Sequence, residues 1–465
     1  METITDNFRR NLVVYITFVF VLISRATMYS PWLEDWDSVQ YALALDDYSI
    51  ANHTPHPPGY PVYIATGRII DIFAKNDVFA LTLLSVVAGS GLFLAYFYLA
   101  QRMMSRSSAY WTSLLLMSFP IVWALSEVAL NYIVGLFFVL LIATLCYLCV
   151  NQAKPKAYLY GCAFLGGLSL GYRFAEYSIV VSLLSLILYK RKRLIELLKT
   201  TVYFLAGVMV WLVPTVIDTG LSQFVFLYRE HSDYVYWHDS IFADDITFWS
   251  RLHDLKWLLE TGYTKWIFVF FVIICFYIPR NWKKIYSDFD YLFIFVWLVS
   301  YAVPLFIFYN LEIPRYVLPL SVPLLLLIGK IADRSVYVKL ILVFTIFPVF
   351  MTGLRYAYLQ HITLPPTVAP VKYVLNNFDP KDTTVVSTFT YRQFQYYAPG
   401  LVNYLGSEAP LEFNTESVIL EHNGVLTLPG LLGYNLVDER EFTGDRKIFS
   451  RVPTTKLFVY KKVDK

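Results

Sequence analysis

Charge is scarce in this 465-residue chain: 16% of its residues are charged, against 57% hydrophobic. That balance excludes an ordinary soluble protein, in which about a quarter of residues are charged. The net charge of +3 gives no footprint for nucleic acid, and none is expected as a partner. Cysteine is equally sparse. Cys146, Cys149, Cys162 and Cys275 all fall in apolar runs, so no disulfide framework is implied. The Cys146–Cys149 spacing, inside a membrane helix, reads as packing rather than as a redox or metal motif. Internal repeats and low-complexity segments are also missing. What the chain does have is aromatic side chains, at 18%. They suit interfacial belts and a carbohydrate- or lipid-lined cavity about equally.

Apolar runs long enough to cross a hydrocarbon core of about 30 Å recur along the chain. They fall near 11–29, 79–103, 108–125, 127–150, 157–172, 174–190, 200–218, 265–279, 290–310, 314–331 and 337–354. The expected fold class is therefore mostly α, a polytopic protein of about eleven transmembrane helices. The first run reads as an uncleaved anchor, because no small-residue cleavage site follows it. Basic residues cluster in alternate connections: Arg102–Arg106, Lys154–Lys156, Lys190–Arg193, Arg280–Lys284 and Lys330–Lys339. By the positive-inside rule these are cytoplasmic, as is the N-terminus. An odd helix count then puts residues 355–465 outside. That tail mixes strand-like pieces, such as Thr384–Phe389 and Lys456–Tyr460, with a helical pattern near Val371–Phe378. A small α/β domain is expected there, following a transmembrane domain over 1–354. The setting expected is the plasma (inner) membrane.

The connections on the opposite side carry the chemistry. The first of them, over 31–61, reads PWLEDWDSVQYALALDDYSIANHTPHPPGYP. Nothing about crossing a bilayer requires such a loop, and ionisable groups beside a membrane are functional candidates by default. Asp35 and Asp37 are two residues apart, so on a helix only one faces a given cavity. Asp37 stands near the N-terminus of a short interfacial helix, where the dipole favours its charged form; this suits a base or a cation ligand. His53 and His56 fit a metal or a phosphate, while His56-Pro57-Pro58-Gly59 also makes a rigid turn.

Three further groups lie on the same side. Glu127 and Asn131, at i and i+4, suit either a sugar hydroxyl or a tie between helices. Arg173, beside Glu176, suits a phosphate or an ion pair. In the run from Tyr309 to Pro319, Pro314 opens a helix and presents Arg315 and Tyr316, with Glu312 close by. Arginine stays charged when desolvated and grips phosphate through a planar fork of donors. The loop over 219–264 carries His231, Asp233, His238 and Asp239 without a pattern that assigns them.

These segments resemble the GT-C superfamily of integral-membrane glycosyltransferases. Asp37-Ser38 followed by His56-Pro57-Pro58-Gly59-Tyr60-Pro61 is similar to the protein O-mannosyltransferase-like branch. Arg315-Tyr316-Val317-Leu318-Pro319 is similar to a segment of aminoarabinose- and mannosyltransferase relatives. The resemblance implies transfer of a hexose or pentose from a polyprenyl-phosphate donor to a hydroxyl on a protein, lipid or glycan. Asp37 would be the catalytic aspartate and Asp35 the fallback. Arg315, Arg173 and Tyr316 would hold the donor phosphate, and His56, His53, Glu127, Asn131 and Glu312 the substrates. Single displacement implies inversion at the anomeric carbon. Where relatives often carry a second acid, this chain has Gln40, which speaks against a paired-acid site or a metal there. The resemblance fixes no cofactor, and a divalent metal stays open. The rival reading is a lipid-linked-sugar transporter or flippase, with ionisable groups near the bilayer midplane. Here they gather at one rim.

Overall fold

The computed structural model of the chain describes residues 4–151, 156–191, 194–244, 246–422, 428–449 and 451–463. Lys154 and the Lys192-Arg193 pair, named above among the basic connections, lie outside the described residues.

Each expected apolar run falls on helix, but the count differs. Among the described residues six helices are long and apolar enough to cross a membrane: Asp77–Met103, Tyr132–Val150, Leu194–Thr219, Phe289–Phe308, Pro314–Ala332 and Val336–Ile362. A seventh follows if Phe248–Tyr263 and Ile267–Arg280, bent by 113° at a short break, count as one span. The other runs make shorter helices. The run over 108–125 divides at Pro120 into Arg106–Ser118 and Pro120–Leu125, since proline has no N–H to continue the ladder. The runs over 157–172 and 174–190 yield helices Lys156–Ser169 and Tyr177–Arg191, joined through a short 3-10 turn. Small residues let helices close up: Gly167 and Gly207 face each other so tightly that a Cβ on either would lie 2.0–2.1 Å from the other helix's backbone.

Helix α1 (Ile4–Thr27) leads into the polar loop, where α2 (Trp36–Asp46) and α3 (Pro61–Ala74) lie. Asp35 caps α2, its carboxylate accepting from Asp37 N at 2.9 Å. Arg68 on α3 donates to the carbonyls of Ala44 and Leu45, tying the two helices together at the end of α2. Between them the chain turns back through Gly59 at φ +92°, where a Cβ would lie 2.4 Å from the Tyr48 hydroxyl. Pro61 then starts α3 at a position where its missing N–H costs nothing.

Beyond the last long helix, Ala369–Asn377 precedes a five-stranded sheet: β1 (Thr383–Ser387), β2 (Val402–Leu405), β3 (Ser417–Glu421), β4 (Tyr434–Thr443) and β5 (Thr454–Lys462). The order is β2-β1-β3-β5-β4, parallel through β2, β1 and β3 and antiparallel thereafter. The sheet unit rests on the first loop. Tyr397 OH accepts from Leu33 N, while Thr367 and Gln393 both donate to the Glu34 carbonyl. Tyr396 OH donates to Asp77 at 3.0 Å.

At the end of the bundle away from the sheet, Lys330 pairs with Asp288 and Asp290, and Tyr147 donates to Asp290 at 2.7 Å. This buried ammonium is matched by two carboxylates, as a charge at such depth requires.

Candidate active site

The start of α2 and the start of the Pro314–Ala332 helix meet at the sheet end of the bundle. Arg315 donates from Nη1 to Asp35 Oδ2, from Nη2 to Asp37 Oδ2 at 2.9 Å, and from Nε to Tyr132 OH at 2.7 Å. Its guanidinium also lies over the Tyr132 ring. All three nitrogens of the fork are engaged inside the protein. Read from sequence as a phosphate ligand, Arg315 here bridges two carboxylates.

The carboxylates are not equivalent. Asp35 accepts from Asp37 N with one oxygen and from Arg315 with the other. Asp37 gives Oδ2 to Arg315, whereas its Oδ1 accepts no hydrogen bond among the described residues. The basic side-chain nitrogens nearest Oδ1 are Arg451 Nη1 at 3.6 Å and His56 Nδ1 at 3.8 Å. Burial opposes the Asp37 charge, but His56, Arg315, Arg451 and Arg173 outweigh it and hold the carboxyl well below the usual range. Asp37 is thus ionised with one oxygen open.

His56 is held from both sides, by Gln40 Oε1 at 2.6 Å on Nδ1 and by Tyr60 OH at 3.0 Å on Nε2. Burial pushes its imidazole down to about 4, so it is neutral at physiological pH. Gln40, the departure from the paired-acid pattern, therefore fixes the ring beside Asp37. Arg173 stacks on Tyr132, 3.5 Å from ring centroid to guanidinium carbon, and donates to Asn131 Oδ1 at 3.2 Å. Asn131 in turn donates to the Tyr172 carbonyl. Glu176 sits 3.7 Å from Arg173 Nε, its carboxyl pushed by burial up to about 8.

Two cavities flank this cluster. The larger, about 920 Å³, is lined by Asp37, Gln40, His53, His56, Tyr60, Tyr132, Arg173, Tyr316 and Arg451. Pro304 and Phe308 from a membrane-spanning helix join its wall, as do His231, Tyr234 and Tyr236 from the Leu221–Asp239 segment. Arg251 fixes part of that wall, its guanidinium donating to the carbonyls of Tyr309, Asp239 and Ile307. The smaller, about 450 Å³, lies toward Asp35 and the sheet unit. Trp36, Tyr234 and Arg451 line both.

The remaining expected residues are dispersed. His53 lines the larger cavity in a left-handed turn (φ +54°). Glu312 is at the rim, exposed and 3.5 Å from Arg446. Glu127 and Asn131 were expected on one helix face, but 126–131 is irregular and the helix begins at Tyr132. Glu127 instead accepts from Trp123 Nε1 at 2.6 Å, beneath the stacked guanidinium of Arg25, and lines neither cavity. Among the described residues no three His, Cys, Asp or Glu side chains are grouped to hold a metal. The place between the two aspartates is taken by Arg315.

The residue that sequence reading missed is Arg451, from the connection between β4 and β5. Nothing in its local pattern marks it. It reaches the first loop only because the sheet packs there. Glu34 was visible in the acidic run but not singled out. Burial, then Asp35, push its carboxyl up to about 8 against the pull of Arg315. The folded chain therefore keeps a proton that the unfolded chain releases above the usual glutamate range, and stability falls as pH rises from there toward 8. Glu34→Gln should leave Tm nearly unchanged at about pH 5 and raise it at about pH 8. Equal Tm shifts at the two pH values would refute this assignment.

Comparison with known proteins came to the same fold. The family model for the protein O-mannosyl-transferase TMEM260 N-terminal domain matches residues 48–196. The comparison with curated proteins returned no match. Among solved structures, ArnT from Cupriavidus metallidurans bound to undecaprenyl phosphate aligns at TM-score 0.61 and 12% identity, covering 97% of this chain and 98% of that one. The same enzyme in the apo state gives 0.55 at 10% identity, with the same coverage. The archaeal oligosaccharyltransferase AglB from Archaeoglobus fulgidus, in complex with an inhibitory peptide and a dolichol-phosphate, gives 0.51 at 10% identity over 89% of this chain and 70% of that one. This is an integral-membrane protein with the fold of ArnT. The resemblance read from its motifs holds, and the protein O-mannosyl-transferase match falls on the stretch that contains His56-Pro57-Pro58-Gly59-Tyr60-Pro61.

Proposed function

We propose that this chain transfers a sugar from a polyprenyl-phosphate donor to a hydroxyl acceptor, with Asp37 as base and inversion at the anomeric carbon. The observation that carries the reading is Asp37, whose Oδ1 accepts no hydrogen bond among the described residues and which lines a cavity whose wall continues into a membrane-spanning helix. A lipid-linked donor can reach such a cavity from the bilayer. The undecaprenyl phosphate on ArnT and the dolichol-phosphate on AglB support this donor class.

In the reaction the acceptor oxygen loses its proton to Asp37 Oδ1 as it attacks the anomeric carbon. The anomeric C–O bond to phosphate breaks in line with that attack, and polyprenyl phosphate leaves with the bonding pair. Arg173 and Arg451 line the same cavity and stabilise the charge that develops on the phosphate. Three arginines, Arg173, Arg315 and Arg451, lie close enough to favour the charged form of Asp37. In this assignment Arg315 orders the aspartates rather than gripping the phosphate. The sheet unit and the catalytic rim lie on the extracytoplasmic side of a plasma membrane, with the N-terminus inside.

The test is transfer from a panel of radiolabelled polyprenyl-phosphate hexoses and pentoses to a mixed acceptor extract by the purified chain. Label transferred with inverted configuration is the expected result. Donor left unconsumed, together with lipid-linked sugar moved across proteoliposomes, would establish the transporter instead.

A further inference from the structure

Tyr132 stands between two arginines that are secured in different ways. Its hydroxyl accepts from Arg315 Nε at 2.7 Å, and its ring carries Arg173, 3.5 Å from ring centroid to guanidinium carbon. The Arg315 guanidinium carbon lies 5.0 Å from the same centroid. Two like charges held around one ring repel each other, and the electron-rich face and the hydroxyl lone pairs offset that repulsion. Arg315 donates to Asp35, Asp37 and Tyr132. Arg173 makes one hydrogen bond among the described residues, to Asn131 Oδ1 at 3.2 Å, so the ring sets the plane of its guanidinium.

The local sequence builds this seat. The Asn131 carbonyl accepts from Gly135 N at 2.9 Å, the first turn of the helix that Tyr132 opens. Gly135 leaves room for the turn that carries Arg173: a Cβ there would lie 2.9 Å from Arg173 Cβ and 2.7 Å from Glu176 Oε2. Asn131, Tyr132 and Gly135 thus supply an acceptor, a face and a gap for one arginine. Without the face, the carboxylate at hand is Glu176, 3.7 Å from Arg173 Nε and lining neither cavity.

We propose that Tyr132 is a positioning residue that divides the two arginines between separate duties. Its hydroxyl helps hold Arg315 on the aspartates, and its ring holds Arg173 on the larger cavity, where the donor phosphate binds. The proposal rests on the transferase reading above and adds to it the residue that sorts its cations.

The experiment uses the purified full chain and reads Kd for undecaprenyl phosphate alone, kcat on a consumed donor, and Tm. Tyr132→Phe keeps the ring and loses the hydroxyl. Its kcat should fall roughly tenfold, the scale of one hydrogen bond to a charged group, while Kd stays within about twofold. Tyr132→Leu loses the face as well, and its Kd should rise roughly tenfold, the scale of a desolvated cation–π contact. Arg173→Ala should weaken binding likewise, and adding it to Tyr132→Leu should weaken binding little further, because both changes remove one contact. A side chain that only packs would lower Tm without this split or this coupling. Full kcat in Tyr132→Phe, an unchanged Kd in folded Tyr132→Leu, or additive losses in the double variant each overturn the proposal. Should Tyr132→Leu fail to fold, Tyr132→Phe decides: a full kcat or a Kd weakened as far as in Arg173→Ala overturns it. The expected Kd changes in a chain that consumes no donor overturn the transferase reading and leave the role of Tyr132 standing. Donor consumed by a wild type that does not bind undecaprenyl phosphate does the reverse.

Discussion

Asp37→Asn should lower sugar transfer by about 10²–10⁴-fold, the range a positioned general base contributes. The substitution is nearly isosteric. An asparagine oxygen can still accept from Arg315 Nη2, as Asp37 Oδ2 does at 2.9 Å, so the cluster stays closed. What disappears is the open oxygen that takes a proton. Because the surrounding arginines hold Asp37 well below the usual carboxylate range, the wild-type rate should not fall with the protonation of this group until strongly acid pH. Measured kcat on the radiolabelled donor, beside a Tm for the same preparation, decides the point. A folded Asp37→Asn protein with full kcat would reduce Asp37 to a partner of Arg315. Asp35→Asn differs in kind. Both Asp35 oxygens are engaged, one at the α2 cap, so its loss should appear first in Tm.

Arg451→Ala should cost about 10²–10³-fold in kcat, the scale of removing one preorganised group that stabilises transition-state charge. Arg451 stands 3.6 Å from Asp37 and 3.8 Å from Asp35, beyond hydrogen-bond reach of either, with 43% of its side chain accessible. An arginine placed this way contributes little to folding, and among the described residues its donors make no hydrogen bond that a ligand would have to displace. Tm should therefore barely move. Arg451→Lys should restore only part of the rate, since a point charge replaces the planar fork that fits a phosphate. An unchanged kcat in Arg451→Ala would remove the sheet unit from catalysis altogether.

The two expectations differ in how early they could be seen. Asp37 lies six residues past Pro31, in a polar stretch bounded by apolar runs, and its place near a helix start is a local matter of capping. The His56–Pro61 turn is equally local, written in proline and glycine. Hydropathy marked where helices form because burying an apolar run in lipid depends on that run alone. It could not count the crossings. Proline at 120 and the short turn at 174–176 divide apolar stretches into helices of 6 to 15 residues, and neighbouring helices set their final course.

Pairing was beyond local reading. Arg315 finds Asp37 across 278 residues, Glu127 turns to Trp123 instead of the cavity, and Arg451 arrives from a strand connection that follows the last crossing. Charge partners are chosen by which surfaces close on each other. A fork of donors reads the same in sequence whether it meets a phosphate or two carboxylates. Helices, turn and acidic loop follow from local free energies along the chain. Which oxygen is left open on Asp37, and which arginine faces it, follows from the docking of the sheet unit onto the first loop, where a low dielectric requires every buried charge to find its partner.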